Sequence, residues 1–218
     1  MTATRYTVLL TLAVAMTFIA TTAAQAETVD EKLLEIENRW ASATFETSGR
    51  EKAAALAELL DVGRALASNH KDSPEAAAWH GIIARECIES RCGSRSSGLR
   101  REARDALLKA ESLDPLALGG IIYANLGALY ARTASPRGKG DGRARAFGYL
   151  WKAIVVDPNG LDSNYLYAEM LVEEKKFQEA KEVLQKASAY PARPDHLRAD
   201  LGRREQILAL LEKVETRL

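Results

Sequence analysis

One pattern of residues occurs twice in this chain, and the repetition constrains the fold more than any other feature. The first copy reads Tyr123, Leu126, Gly127, Tyr130, Ala146, Leu150, Ala153 and Asp157-Pro158. The second copy reads Ala168, Leu171, Phe177, Ala180, Leu184 and Ala187. Apolar and small residues three and four apart, repeated after a turn, are typical of stacked helical hairpins. Such folds usually provide interaction surfaces.

Helical spacing of apolar residues continues through the chain from residue 29, and no segment alternates apolar and polar residues as a strand would. The spacing predicts an all-α protein with helices over 29–46, 50–68, from 74 onward, 99–112, 120–132, 143–156, 163–175, 177–190 and 197–216. Ser73, Pro74 and Glu75 form a helix start, because serine caps, proline suits the first position and an acid suits the dipole. The last helix is expected to cover the final pair and to face water with its other side. The expected inner side carries Leu201, Ile207, Leu208, Leu211 and Val214, and the expected outer side carries Arg203, Arg204 and Glu205.

The first residues are typical of an export signal. Arg5 precedes an apolar run from Tyr6 to Ala20, and Ala24-Gln25-Ala26 fits the small-x-small cleavage pattern. A membrane anchor is the alternative, but the run is shorter than the roughly 20 residues that span hydrocarbon. We therefore expect a signal peptide over 1–26, a single domain over 27–218, a periplasmic location and no stable membrane insertion after cleavage.

Charge argues against a nucleic-acid partner. The formal net charge of the whole chain is zero, and it becomes −1 once Arg5 is removed. A chain without excess positive charge has no long-range attraction for a polyanion.

Cys87 and Cys92 are the only cysteines, and an exported chain usually bridges such a pair. Residues five apart on an unbroken helix have Cα atoms about 8.6 Å apart, beyond the roughly 7 Å limit for a disulfide. A bridge thus requires the helix to end between them, as Gly93 and the serines that follow favour. A disulfide is expected, with free thiols as the alternative.

The spacing of Tyr123, Leu126, Gly127 and Tyr130, followed by Ala146 and Pro158, resembles the tetratricopeptide repeat (TPR) of about 34 residues. Small residues at 127 and 146 allow two helices of a hairpin to approach closely. The resemblance implies a right-handed solenoid of about four TPR-like hairpins plus a C-terminal capping helix. Two of the hairpins carry an enlarged turn.

From about Gly120 to Leu211 the chain also resembles the periplasmic T-component family that accompanies some TRAP-type transporters. The resemblance lies in Tyr123 to Tyr130, in Pro136 with Gly140-Asp141, and in Asp157 to Tyr165. It implies a transport accessory that binds or delivers a small solute, with a solute-binding receptor as a partner.

In TPR hairpins the first helix of each pair lines a concave groove, and this resemblance implies a set of partner-binding residues. They are Arg85, Ala124, Asn125, Ala128, Arg132, Asp162, Tyr165, Glu169 and Glu173. A tyrosine, small residues and mixed charges suit an extended peptide or a helix. Each side chain could instead be solvated or satisfy a neighbour.

Chemistry-bearing motifs are few. Gly138-Lys139-Gly140 lacks the frame of a phosphate loop, so it is interpreted as a cationic turn with a weak anion contact through Arg137, Lys139 and Arg143. The three histidines are far apart, and no metal-ligand spacing or catalytic constellation is evident. We expect no cofactor and no enzymatic activity.

The sequence therefore predicts a periplasmic, non-enzymatic TPR scaffold that holds a protein or peptide partner in its groove. The alternative is a T-component-like protein that binds a small solute. A structural homo-oligomer is a third reading.

Overall fold

The computed structural model describes residues 28–92, 96–133 and 141–218, and these residues form nine α-helices without a strand. The helices are α1 Val29–Ala41, α2 Gly49–Asn69, α3 Pro74–Glu89, α4 Ser96–Leu113, α5 Ile121–Thr133, α6 Gly142–Val156, α7 Leu161–Glu173, α8 Phe177–Ser188 and α9 Leu197–Glu215. The expectation of an all-α protein is confirmed for this part of the chain. The signal peptide predicted over 1–26 lies outside the described residues.

Local sequence sets the helix starts. The Ser73 hydroxyl accepts a hydrogen bond from the amide of Ala76 at 3.1 Å, and Pro74 occupies the first turn of α3. Thr28 and Glu31 cap each other's backbone amides at the start of α1, the reciprocal arrangement of a capping box. The predicted helix over 29–46 continues past Ala41 as one π-helical turn, Ser42–Glu46.

Consecutive helices pack in pairs: α3 against α4, α5 against α6 and α7 against α8. The same close contact occurs in two of these pairs. A Cβ atom added at Gly81 would lie 2.6 Å from Leu107 Cγ, and one added at Gly127 would lie 2.6 Å from Leu150 Cγ. The predicted close approach at Gly127 is confirmed, because no larger residue fits without movement of α6.

The interior consists mainly of alanine and leucine. The buried residues of α3 to α6 include Ala103, Leu107, Ala146 and Leu150, which have no exposed surface. Small residues bring helices close together, and leucines fill the space beside these contacts. Within the described residues, no helix has the combined length and apolar character that crossing a membrane requires.

Helix α9 does more than cover the last pair. It packs on α7 and α8 and also on α1 and the π-helical turn, where Gly202 lies directly against the ring of Phe45. Arg203 is only 4% exposed, whereas Leu201 and Leu208 are 45% and 50% exposed. The predicted inner positions of Ile207 and Val214 are confirmed, since both are buried. The prediction is wrong for Arg203, Leu201 and Leu208, because α9 turns its inner face toward the N-terminal helices as well.

The two cysteines lie beside each other at the end of α3. The helix ends at Glu89, between them, and the amide of Cys92 donates to the carbonyl of Cys87 at 2.9 Å. The structure has both as free thiols, with Cys87 buried. A hydrogen bond between the thiols raises the pKa of Cys87 and lowers that of Cys92. The required helix end is present, and the disulfide itself stays a prediction.

Candidate functional site

The inner side of the helix array encloses a cavity of about 280 Å³, here called the central cavity. It lies between α1, α3, the start of α5, α7 and the first half of α9. Its apolar lining is Trp40, Trp79, Ile82, Leu118, Ile121 and Ala199. Its polar lining is Glu37, Arg85, Asn125, Asp162, Arg193, His196 and Arg203.

Two tryptophans form the apolar side. Trp40 of α1 and Trp79 of α3 meet edge to face, with ring centroids 5.5 Å apart. Both are buried together with Ile82. The indole N–H of Trp40 is buried without a hydrogen-bond acceptor among the described residues, an arrangement that costs about 1–3 kcal/mol.

Arg85 is a buried cation at the polar side. Its guanidinium donates to the Asn125 side-chain oxygen at 2.7 Å, to Glu89 at 2.7 Å and to Glu86. Desolvation alone would lower its pKa, but the carboxylates of Glu86 and Glu89 outweigh this effect and raise the pKa. Arg85 therefore stays charged, with its N–H groups already directed at protein acceptors.

Arg203 connects the two ends of the chain. It donates to Asp162 of α7 at 2.7 Å, and its guanidinium carbon lies 4.7 Å from the ring centroid of Tyr165 and 5.2 Å from that of Phe45. It also lies over Trp40 at 5.9 Å. A guanidinium enclosed by rings and one carboxylate holds α9, α7 and the N-terminal helix together.

Two further pairs fix the start of α9. His196 Nδ1 lies 2.7 Å from Glu37 Oε1, and Arg193 makes three hydrogen bonds to Asp200. Desolvation raises the pKa of Glu37, and His196 partly offsets this. For Asp200, burial alone would raise the pKa, but the bonds from Arg193 hold it below its usual value.

Tyr165 and Glu169 extend the polar side along α7. The Tyr165 hydroxyl donates to Glu169 at 2.9 Å. Desolvation raises the pKa of both groups, and the nearby carboxylate of Glu89 raises them further. Acidic side chains thus crowd this part of the inner face.

The structure brings together part of the predicted groove. Arg85, Asn125 and Asp162 line the central cavity. Tyr165 lies against Arg203 at its edge, with Glu169 hydrogen-bonded to it. These five residues lie together in one polar and charged region; their role in binding a partner stays a prediction.

The other four predicted groove residues lie elsewhere. Ala124 has no exposed surface and belongs to a buried cluster between α5, α6 and α7, and Ala128 packs against that cluster. Arg132 is exposed, 3.7 Å from Glu89. Glu173 is exposed, 3.9 Å from Arg143. Ala124 therefore packs in the core and offers no surface to a partner.

Of the three residues predicted to contact an anion, Arg143 lies in the part of the chain that the structure describes. Arg137 and Lys139 lie outside the described residues. Arg143 pairs with Glu174 and approaches Glu173, so its charge is already compensated by protein carboxylates.

Sequence reasoning missed the part of the site that α9 and α1 supply, namely Trp40, His196 and Arg203. One signal was available: Ala199, Gly202 and Arg203 share a face with Ile207. Two small residues on a helix face indicate a close approach by another element, here Phe45.

The described residues contain no group of three or more His, Cys, Asp or Glu placed to hold a metal ion. His80 contacts Glu102 at 2.7 Å, whereas His196 contacts Glu37. The first pair joins α3 to α4, and the second joins the start of α9 to α1. Of the two, the pair of His196 and Glu37 borders the central cavity.

The described residues thus form a helical protein whose helices surround a cavity lined by charged and aromatic side chains. No model of a known protein family matches the sequence, and no curated protein matches it significantly.

Proposed function

We propose that the protein is an exported, non-enzymatic binding protein, built from TPR-like hairpins in a right-handed solenoid, that holds a small organic solute in the central cavity. The observation that carries this proposal is the position of α9. Its first half reaches α1 and the π-helical turn and so bounds a space that an open solenoid would leave as a groove.

The size of the cavity favours a small solute over an extended peptide. Ligand pockets for small molecules start at roughly 300 Å³, and the central cavity measures about 280 Å³. An extended peptide needs a continuous groove along the inner side of the helices. Arg203 and Gly202 of α9 contact Phe45 next to α1, and these contacts interrupt such a groove.

The pairing of charges defines the ligand further. Each of the three arginines around the cavity already has a carboxylate partner among the described residues: Glu86 and Glu89 for Arg85, Asp200 for Arg193, and Asp162 for Arg203. A ligand with a net charge would find no free counter-charge. A neutral or zwitterionic molecule with an apolar or planar part fits best, because it can contact the tryptophans and share hydrogen bonds with the paired groups.

Ala199→Leu tests this proposal because Ala199 is buried on the cavity wall. The larger side chain should occupy ligand space. Ala209→Leu is the matched control, since Ala209 lies exposed on the same helix. Thermal unfolding would be measured with a panel of amino acids, small organic acids, amides and short peptides.

A solute present at 100 times its Kd should stabilise the wild-type protein and Ala209→Leu by about 2.7 kcal/mol, or about 5–10 °C in Tm for a chain of this size. Ala199→Leu should lose that shift. Stabilisation by small solutes that is equal in both variants would place binding outside the central cavity and contradict the proposal.

A protein or peptide partner is the second candidate. It is favoured by Arg132, which is 56% exposed and lies 3.7 Å from Glu89. An exposed pair of this kind contributes little to stability, so Arg132 can exchange it for a carboxylate of a partner. In the same panel, a short acidic peptide that stabilises Ala199→Leu as much as wild type, but not Arg132→Ala, would support this candidate. A transport accessory of the T-component kind remains compatible with either ligand.

A further inference from the structure

A second cavity, of about 300 Å³, lies between the start of α4 and the end of α5. We call it the α4–α5 pocket. It is lined by Ser97, Arg100, Arg101, Arg104, Leu129 and Tyr130. It shares no lining residue with the central cavity.

Among the described residues, the arginines that line the α4–α5 pocket outnumber the carboxylates paired with them. Arg104 pairs with Asp105 at 2.8 Å. Arg100 and Arg101 have no carboxylate within ion-pair distance among the described residues, and the first turn of α4 contains no acidic residue. Neighbouring cations without counter-charges repel one another, so an external anion would stabilise this arrangement.

An aromatic wall adjoins these arginines. The rings of Tyr130 and Tyr149 are stacked, with centroids 5.6 Å apart and planes 4° from parallel. Arg145 lies over the Tyr130 ring at 5.8 Å and is also paired with Asp141. The pocket thus combines guanidinium groups with an apolar ring surface.

We propose that the α4–α5 pocket binds a phosphate monoester, with the phosphate on Arg100 and Arg101 and the organic part against Tyr130. Guanidinium groups present planar pairs of N–H donors that match phosphate oxygens, and the Ser97 hydroxyl adds a donor. The ligand is either a soluble phosphomonoester or the headgroup of a phosphatidic acid membrane. This binding is independent of the solute in the central cavity.

The test is calorimetric titration of the whole mature protein with phenyl phosphate at physiological salt. Arg100→Gln/Arg101→Gln is the test variant. Arg39→Gln/Arg217→Gln removes the same charge from exposed positions outside the pocket and is the control. The Kd should rise at least about tenfold in the test variant and stay unchanged in the control and in Ala199→Leu.

Binding to phosphatidylcholine vesicles with and without phosphatidic acid distinguishes a soluble phosphomonoester from a lipid headgroup as the ligand. Binding of phenyl phosphate alone supports a soluble ligand, and added binding to the phosphatidic acid vesicles, lost in the test variant, supports a headgroup. Absence of phenyl phosphate binding up to about 10 mM, or equal weakening in the test and control variants, would overturn the proposal. Circular dichroism of each variant establishes that the helices are intact.

Discussion

Replacing Arg203 with methionine should destabilise the fold, because this side chain joins the two ends of the chain. Its guanidinium is 5% exposed and bonds to Asp162, whose side chain is 13% exposed. Removing one partner of a buried pair costs about 3–5 kcal/mol. Asp162 retains some contact with water, so we expect the lower end, about 3 kcal/mol. Methionine keeps an unbranched stem against the rings of Phe45 and Tyr165, so most of the loss is electrostatic.

Urea unfolding followed by tryptophan fluorescence measures this loss, since Trp40 lies beside Arg203. A loss of about 3 kcal/mol corresponds to a fall in Tm of about 6–12 °C for a chain of this length. Arg198→Met is the matched control: Arg198 is on the same helix, is 51% exposed and pairs with Glu46 at 3.3 Å. An exposed pair contributes at most about 1 kcal/mol.

A double variant separates the pair from other effects. Asp162→Asn combined with Arg203→Met leaves no unpaired buried charge, so its free energy of unfolding should exceed the additive value by about 1–3 kcal/mol. If Arg203→Met costs no more than Arg198→Met, the buried pair between Arg203 of α9 and Asp162 of α7 is not energetically important, and the role given to Arg203 in closing the cavity loses its support.

Three further variants test individual contacts. Gly127→Ala should lower the free energy of unfolding by about 1–3 kcal/mol through overpacking. Gly148→Ala is the control and should raise it by about 0.4–1 kcal/mol, because no atom lies within 4 Å of the new Cβ. Equal effects of the two variants in chemical denaturation would contradict the close contact at Gly127. Asp200→Asn should cost about 2 kcal/mol at pH 7. Arg193 lowers the pKa of Asp200 in the folded state. The stabilisation by this pair is therefore present above the usual pKa of Asp200, near 3.8, and is lost as the pH falls through the lowered pKa. A cost of Asp200→Asn that is independent of pH from 2 to 7 would refute this explanation. Glu169→Gln should be as stable as wild type or more stable at pH 7. Desolvation raises the pKa of Glu169, so ionisation of this carboxyl above its usual pKa near 4.5 opposes folding. In unfolding measured against pH the difference should disappear below pH 4, and a marked loss of stability at pH 7 would contradict the prediction.

Helix boundaries were largely predictable because local signals determine them. The Ser73-Pro74 start of α3 and the Asp157-Pro158 stop after α6 lie where the sequence places them. The close contact at Gly127 was also predictable, since a glycine within an apolar helical face indicates a neighbouring backbone or side chain. These features depend on residues within one hairpin.

The position of α9 was not predictable from its own periodicity. Leucines outnumber other apolar residues there and suggested the inner face, yet Leu201 and Leu208 are half exposed. The buried face is set by elements far away in sequence, chiefly Phe45 and Asp162. A contact of Arg203 with both has no local signature, and the same holds for Glu37 with His196, which are 159 residues apart.

The two halves of α9 are held by different sets of contacts, and this difference bears on how the central cavity can exchange a ligand. The second half buries Ile207 and Val214 completely or nearly so against α7 and α8, which is apolar packing that separates only at high cost. The first half combines apolar packing of Ala199 and Gly202 against the N-terminal helices with polar contacts, including the partly exposed contacts of His196 with Glu37 and of Arg198 with Glu46. Water can replace ion pairs of this kind at little cost. Opening of the first half alone would expose the cavity while the packing of Ile207 and Val214 on α7 and α8 stays intact. A solute bound inside should therefore stabilise the first half of α9 against this local opening.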